Sequence, residues 1–270
     1  IIIISLVPVL FLFQNTSWIE ITATQYSVFS FLGRVSSLVG LVLFSINFIL
    51  STRHSILEKF FYGLNKVYVA HHLVGGISFI FLLLHPLFLS LRFIPDDWYQ
   101  AATILIPSVT QPIDWPLNFG IIAIYGMIIL LVVTFFVKLH YELWLWTHKL
   151  LGFVFFIGIM HSFLIPSDIA TDPLLRAYML IISLVGLLAF VYTSLMGTFV
   201  IKKYPYLVEK VAMLYEDVVE LTLKPIRHIM PYRAGQFVFV RFFQSGIPTQ
   251  RHPFSVSSIV SKDEKQQLTI

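Results

Sequence analysis

The sequence contains no cysteine and little charge. Without cysteine the chain cannot form disulfides, hold zinc or an iron–sulfur cluster through thiolates, or attach a haem through thioether bonds. Only 12% of its 270 residues are charged, against about 25% in a typical soluble domain, and 57% are hydrophobic. The net charge is +4 with no long basic run, which argues against a nucleic-acid partner. This composition predicts a polytopic membrane protein in a lipid bilayer.

Apolar stretches long enough, or nearly so, to cross a membrane occur six times. They cover roughly residues 1–14, 26–50, 67–91, 117–137, 146–165 and 174–201. The segments that would share one side of the bundle carry seven basic residues, against two on the other side. The positive-inside rule places the basic side in the cytoplasm. We therefore expect six transmembrane helices, the first shortened at a truncated start.

The character of the chain changes after residue 203. Apolar and polar residues alternate in VVELTLKP at 218–225 and in QFVFVRF at 236–242, and Pro and Gly bound these runs. Alternation of this kind predicts strands. We expect two domains: a six-helix transmembrane domain at 1–203 and part of a cytoplasmic β-barrel at 204–270.

Two of the apolar stretches share a histidine pattern. The third reads HHLVGGISFIFLLLHP, with His71 and His85 at its ends, and the fifth reads HKLLGFVFFIGIMHS, with His148 and His161. A helix of 13 or 14 residues rises about 20 Å, so each helix would offer one histidine near each membrane face. Ionisable groups inside a bilayer are costly and point to function. With no thiolates present, the facing pairs suit two haem irons, one in each leaflet.

The two spacings are not equivalent on an ideal helix. The 14-residue step from His71 to His85 returns to nearly the same face, whereas a 13-residue step ends about 140° away. Either the fifth helix is distorted, at Gly152 or Gly158, or its two haems approach from different flanks. His72 would give the third helix the same 13-residue step, and His71 is the preferred ligand. A hydrogen bond to a neighbouring helix is the ordinary role of any single histidine.

Three further residues are candidates because of their positions in the spans. Arg34 lies deep in the second span and needs an anionic partner, for which haem propionates would serve. Arg53 lies at the inner end of that span, where anchoring at the membrane surface explains it equally well. Phe155 lies between the two histidine levels and could shorten an electron path, although packing is the usual role of a phenylalanine.

A flavin site is suggested by RHPFSVSS at 251–258. Such a site needs an aromatic face for the isoalloxazine ring, a donor near the flavin N5 and groups that bind the pyrophosphate. Phe254, Ser255 and the pair Arg251 with His252 would supply these in order, with Pro253 completing the motif. By chemistry alone the assignment is weak, because similar strings end ordinary strands.

Taken together, these features resemble the NADPH oxidase and ferric reductase transmembrane superfamily. The histidine spacings of 14 and 13, AGQF at 234–237 and HPFS at 252–255 match that family's arrangement. The resemblance implies two b-type haems, FAD, and NAD(P)H as the donor. Electrons would pass from NAD(P)H to FAD, to the inner haem, to the outer haem and to an external acceptor. No GxGxxG or equivalent occurs, so we expect the nicotinamide-binding domain to lie outside these residues.

The resemblance leaves the acceptor open. We expect an oxidoreductase that reduces molecular oxygen to superoxide, with a ferric chelate as the alternative acceptor. The outer segments carry two basic residues, Arg92 and Arg176, against six acidic ones, which disfavours an anionic chelate. A non-catalytic cytochrome b subunit and a histidine-based proton channel are further alternatives. The HPFS segment argues against both, because it implies that the chain has its own donor.

Overall fold

The chain divides into two compact units, Ile1–Phe199 and Val200–Ile270. The computed structural model describes residues 1–110, 112–196, 203–216, 218–230, 237–244, 246, 251–257 and 268–269. The first unit is helical, and the second consists of short strands. The predicted fold class, a mainly α-helical domain followed by a β-rich one, is confirmed.

The helices of the first unit alternate between long apolar segments and short connecting ones. The long ones are α1 (Ile2–Asn15), α3 (Gln25–Ser51), α5 (Leu64–Leu91), α7 (Trp115–Phe136), α9 (Leu151–Leu164) and α11 (Pro173–Phe190), which continues as a π-helical turn over Val191–Met196. The short ones are α2 (Trp18–Thr22), α4 (Ser55–Phe60), α6 (Trp98–Thr103), α8 (Tyr141–Lys149) and α10 (Asp168–Thr171).

Within the described residues, five segments are long and apolar enough to cross a membrane. They are α3, α5, α7, the α8–α9 segment Tyr141–Leu164, and Pro173–Ser194. Helix α1 is apolar but has 14 residues, which gives a length of about 21 Å against a hydrocarbon core of about 30 Å. The six-span arrangement therefore stays a prediction.

Polar side chains cap the first turns of α2 and α11, as their local sequences favour. The Asp172 carboxylate caps α11 by accepting hydrogen bonds from the N–H groups of Leu174 and Leu175, and Pro173 occupies the first helical position. These bonds, led by the one from Leu175, hold the pKa of Asp172 below its usual value. Ser17 and Glu20 form a capping box at α2.

Helix α3 forms the centre of the helical unit. In an apolar stretch of 18 residues in α3, 61% of the residues are buried, whereas 11–28% are buried in the corresponding stretches of the other four segments. Small residues allow close approach: a Cβ at Gly186 of α11 would lie 2.9 Å from the Cα of Ser45 in α3. The other helices leave large apolar faces exposed, as a bilayer requires.

The second unit contains two small antiparallel sheets. Strands β1 (Tyr206–Tyr215), β2 (Val218–Pro225) and β5 (Leu268–Thr269) pair in the order β1–β2–β5, and β3 (Phe237–Arg241) pairs with β4 (Arg251–Ser255). Strands β2 and β3 confirm the predictions from VVELTLKP and QFVFVRF. Buried Leu223 and Val256 form a small core with apolar side chains from both sheets.

Candidate functional site: two facing histidine pairs

The structure brings the four predicted histidines together as two pairs. His71 of α5 faces His148 of α8, and His85 of α5 faces His161 of α9. In each pair the ring centroids are 6.3 Å apart, and the rings are inclined by 71° and 58°. The 14-residue step from His71 to His85 separates the two levels by about 21 Å along α5.

The ring separation fits one metal ion between each pair. A metal–imidazole bond is about 2 Å, and the ring centre lies roughly 1.1 Å beyond the nitrogen, so two imidazoles in line on one metal have centres about 6 Å apart. Within the described residues, no three His, Cys, Asp or Glu side chains come together to hold a metal ion. Two protein ligands suffice only for a metal whose other positions are already filled, as in haem.

Three of the histidines are oriented by backbone carbonyls of a neighbouring helix. The Nδ1–H of His71 donates to Asn47 O (3.2 Å), that of His85 to Gly33 O (2.9 Å) and that of His161 to Pro116 O (2.7 Å). A carbonyl can only accept, so Nδ1 carries the proton and Nε2 keeps its lone pair. Metal-binding histidines usually show this arrangement.

The contacts between α5 and α3 repeat every seven residues. His71, Ser78 and His85 donate to the carbonyls of Asn47, Gly40 and Gly33, respectively, and the Ser78 bond is 2.9 Å. Seven residues are nearly two helical turns, so these side chains share one face of α5. The absence of side chains at Gly33 and Gly40 lets Leu89 and Leu82 pack closely there. This ladder places both α5 histidines at defined heights and orientations.

His71 rather than His72 is placed for a paired site. His72 is exposed, and its ring lies 5.8 Å from that of His71. The Nδ1–H of His71 is bonded to α3, and its ring faces His148. The geometry therefore agrees with the preferred alternative, and the ligand role of His71 stays a prediction.

The segment that carries the 13-residue spacing has an irregular turn at Leu150. Helix α8 ends at Lys149, Leu150 forms a turn, and α9 begins at Leu151. The irregularity thus lies at Leu150 and not at Gly152 or Gly158, where distortion was expected. Gly152 instead provides space, because a Cβ there would collide with the Phe190 ring. On either side of Leu150, His148 and His161 each face a histidine of α5.

The two arginines lie at different levels. Arg34 Nη1 donates to Asp168 Oδ1 at 2.9 Å, and its guanidinium lies over Phe31. The expected anionic partner is therefore supplied by a carboxylate on α10, and a haem propionate is not needed to balance this charge. Arg53 follows α3, lies over the Tyr68 ring at 5.2 Å and is close to the inner level. A contact between either arginine and a haem stays a prediction.

Phe155 occupies the centre of the bundle. Its side chain is 1% exposed and packs against Phe44 and Phe48 of α3, with centroid distances of 5.1 and 4.9 Å. Phe48 continues the cluster to Phe190 of α11 at 5.6 Å. Phe155 lies seven residues after His148 and six before His161, between the two histidine levels. Its packing role is evident, and its role in electron transfer stays a prediction.

The proposed flavin motif forms strand β4. His252 pairs with Val240, Pro253 with Phe239, Phe254 with Val238, and Ser255 with Phe237, while Arg251 pairs with Arg241. Phe254 is half-buried in the small core and meets Phe242 edge-on at 5.9 Å, whereas His252, Pro253 and Ser255 are exposed. Because side chains alternate along a strand, Phe254 and Ser255 point to opposite faces of β4. These flavin contacts stay predictions.

Several site residues carried no sequence signal. The carbonyls of Gly33, Asn47 and Pro116 are backbone groups, so no side-chain motif marks them. Gly120 of α7 faces the outer pair, because a Cβ there would lie 2.7 Å from the His161 ring. Trp144 stacks on His148 with centroids 5.3 Å apart and an inclination of 4°. Trp144 could have been found from the sequence, because a residue four positions before His148 lies on the same face of a helix.

Comparison with known families gives two adjacent matches. Residues 36–159 match the model described as ferric reductase like transmembrane component, and residues 203–270 match an FAD-binding domain. The first match contains three of the four paired histidines, and His161 follows it by two residues. The comparison with curated proteins found no match.

Proposed function

The chain belongs to the NADPH oxidase and ferric reductase superfamily, and we propose that it carries electrons from cytoplasmic NAD(P)H through FAD and two b-type haems to molecular oxygen outside, forming superoxide. It is an integral membrane oxidoreductase with a transmembrane electron-transfer domain and an FAD-binding domain. The observation that carries the proposal is the pair of facing histidines at each of two levels, with centroids 6.3 Å apart.

Each histidine pair would hold one haem through its iron. His71 with His148 would form the inner site, and His85 with His161 the outer one. When bound, haem supplies an iron that gains and loses one electron at a time. The carbonyl bonds to Nδ1 keep the Nε2 lone pairs available and hold the rings in place. Phe155, buried between the levels, would fill the gap with a polarisable ring in place of a void.

The cytoplasmic location of the FAD-binding domain rests on charge. The basic connecting segments at 51–66, 138–149 and 202–203 would lie inside, and the chain enters the FAD-binding domain directly after the last of them. Six crossings, with α1 as the first, would bring the sixth helix back to that side. This topology would put His71 and His148 at the cytoplasmic level of the membrane and His85 and His161 at the outer level.

The outer surroundings support oxygen as the acceptor. If His85 and His161 both held the outer haem iron, the acceptor would take its electron without binding the metal, so the protein would have to hold the acceptor nearby. Three arginines at the outer end are already engaged. Arg34 is paired with Asp168, Arg92 stacks on Tyr26 and Phe93, and Arg176 lies over Phe163. Of the three, only Arg34 has its charge neutralised by an ion pair within the described residues, but the outer segments carry six acidic residues against Arg92 and Arg176, which disfavours a bulky anionic chelate, whereas a small neutral molecule needs no positive charge.

The acceptor is tested by two assays on the enzyme supplied with NAD(P)H. We expect cytochrome c reduction in air that superoxide dismutase suppresses, together with slow anaerobic reduction of a ferric chelate. The physical reason is that an outer-sphere transfer to oxygen needs only a small apolar pocket. Fast anaerobic reduction of the ferric chelate, with no dismutase-sensitive reduction of cytochrome c in air, would refute the oxidase activity and support a ferric-chelate reductase.

The flavin contacts are tested by paired substitutions in β4. We expect Ser255→Ala to weaken FAD binding or slow haem reduction at unchanged thermal stability, because Ser255 is exposed and would act only on the ligand. Phe254→Ala should also weaken FAD binding and lower the melting temperature, because Phe254 packs in the small core. FAD titration, reduction kinetics and thermal unfolding are the measurements. Unchanged FAD affinity and an unchanged rate of haem reduction in both variants would show that Phe254 and Ser255 do not contact the flavin.

A further inference from the structure

His148 differs from the other three paired histidines in how its ring is held. His71, His85 and His161 each donate from Nδ1 to a backbone carbonyl of a neighbouring helix. The Nδ1 of His148 is buried and has no hydrogen-bond partner among the described residues. A ring without such a bond can rotate about its side-chain bonds unless another contact prevents it. The inner pair therefore requires a second means of fixing the His148 plane.

Trp144 makes the contact that this ring lacks. It lies four residues before His148, so both side chains project from the same face of α8. The indole and imidazole planes are inclined by 4° with centroids 5.3 Å apart, which is an offset parallel stack. Tyr141 also stacks on Trp144, with ring centroids 6.2 Å apart and an inclination of 22°.

The indole is itself held by the end of α7. Its Nε1–H donates to the carbonyl of Thr134 at 3.2 Å. Helix α7 ends at Phe136, so this carbonyl is among the last four, which have no partner within their own helix. The bond satisfies the carbonyl and fixes the direction of the indole. A chain of contacts thus runs from the end of α7 through Trp144 to the face of His148.

We propose that Trp144 is a positioning residue of the inner haem site, which fixes the plane of the His148 imidazole by stacking in place of the hydrogen bond that orients the other three histidines. The inference rests on the proposed function, because it assigns the role of Trp144 relative to a haem between His71 and His148. Trp144 does not contact the metal position and acts through His148.

The stack has two measurable consequences for a bound haem. The 71° inclination of His71 to His148 is close to perpendicular, an arrangement that gives low-spin ferric haem a large maximum g value. The stack also keeps the Nδ1 of His148 away from solvent and unpartnered, and a hydrogen bond there would make the ligand more basic. Loss of Trp144 should therefore lower the maximum g value and shift the inner-haem midpoint potential to a more negative value.

The experiment compares variants of the purified protein by electron paramagnetic resonance and redox titration. His148→Ala identifies the inner-haem signal by its loss. Trp144→Leu removes the stack, and Trp144→Phe keeps an aromatic ring but loses the bond to Thr134. Trp146→Leu is the matched control, because Trp146 is 67% exposed on the same helix.

The proposal expects Trp144→Leu to change the g value and potential of the inner haem only. Trp144→Phe should keep the g value but broaden the line, and Trp146→Leu should match the unchanged protein. Two haems with an unaltered inner signal in Trp144→Leu would overturn the role of Trp144 and leave the proposed function intact. If Trp144→Leu does not retain the inner haem, the test rests on Trp144→Phe. An inner-haem resonance of unchanged position and width in Trp144→Phe would then overturn the positioning role of Trp144. A protein that binds no haem would overturn both.

Discussion

An alanine in place of His161 is expected to lower the haem content of the purified protein from about two per chain to about one. The substitution removes one of the two histidines predicted to hold the outer haem, and no third His, Cys, Asp or Glu among the described residues is placed to replace it. His85→Ala should give the same result from the other side. The pyridine haemochrome assay measures the haem content, and the visible spectrum reports whether the remaining haem keeps both ligands.

The inner pair and two unpaired histidines complete this series. His71→Ala and His148→Ala should each remove the other haem. His72→Ala and His54→Ala should retain both, because His72 is exposed and His54 accepts a hydrogen bond at the start of α4. Full haem content with a normal spectrum in both His85→Ala and His161→Ala would refute the outer site. If His72→Ala lost a haem and His71→Ala retained both, the inner ligand would be His72 and not His71.

Gly120→Ala is expected to weaken the outer haem site, although Gly120 would not contact the metal. An added Cβ would lie 2.7 Å from both Cε1 and Nδ1 of His161 and 3.0 Å from its Cγ. Helix α7 cannot yield easily, because the same imidazole is bonded to Pro116 O in its first turn. The ring must therefore move and give up that bond. Disturbing the partner of a metal ligand typically costs 10–100-fold in affinity, so we expect a loss of about this size.

Two other glycine substitutions serve as controls for Gly120→Ala. A Cβ at Gly76 of α5 would meet nothing within 4 Å, and one at Gly158 of α9 would be 3.9 Å from the Cβ of Ala123. Both variants should keep two haems and gain about 0.5–1 kcal/mol of helix stability in an unstrained position. Haem titration of apoprotein and the spectrum of the outer haem are the measurements. An unchanged outer-haem affinity in Gly120→Ala would show that the His161 ring is not confined by α7.

The positions of the long helices and the two histidine levels followed from local sequence. Apolar runs long enough to span a bilayer recur where α3, α5, α7, α9 and α11 lie, and helical rise alone separates His71 from His85. The flavin-domain strands were visible as alternation in β2 and β3. These features depend on residues near one another in the chain. The predicted transmembrane and flavin-binding segments agree with the family matches at 36–159 and 203–270.

Features that depend on distant residues were predicted less well. A carboxylate 134 positions away balances Arg34, and no pattern around Arg34 points to Asp168. A distortion at Gly152 or Gly158 was one of two expectations for the fifth helix, but the irregular turn lies at Leu150, and Gly152 leaves room for the Phe190 ring. The motif assigned Phe254 to the flavin face; its half-buried side chain also packs against the small core, and its flavin contact stays a prediction. In each case packing against another element determined the outcome.

By itself, the sequence determined that this is a membrane protein with histidines at two depths, because hydrophobicity and helical rise are properties of a single segment. It also limited the metal chemistry, because a chain without cysteine offers chiefly imidazole for an apolar redox site. Only the tertiary structure decided that His71 faces His148, that Gly33, Asn47 and Pro116 supply the orienting carbonyls, and that Trp144 takes that role at His148. Backbone carbonyls are the same at every residue, so which of them meets a histidine depends on how the helices pack.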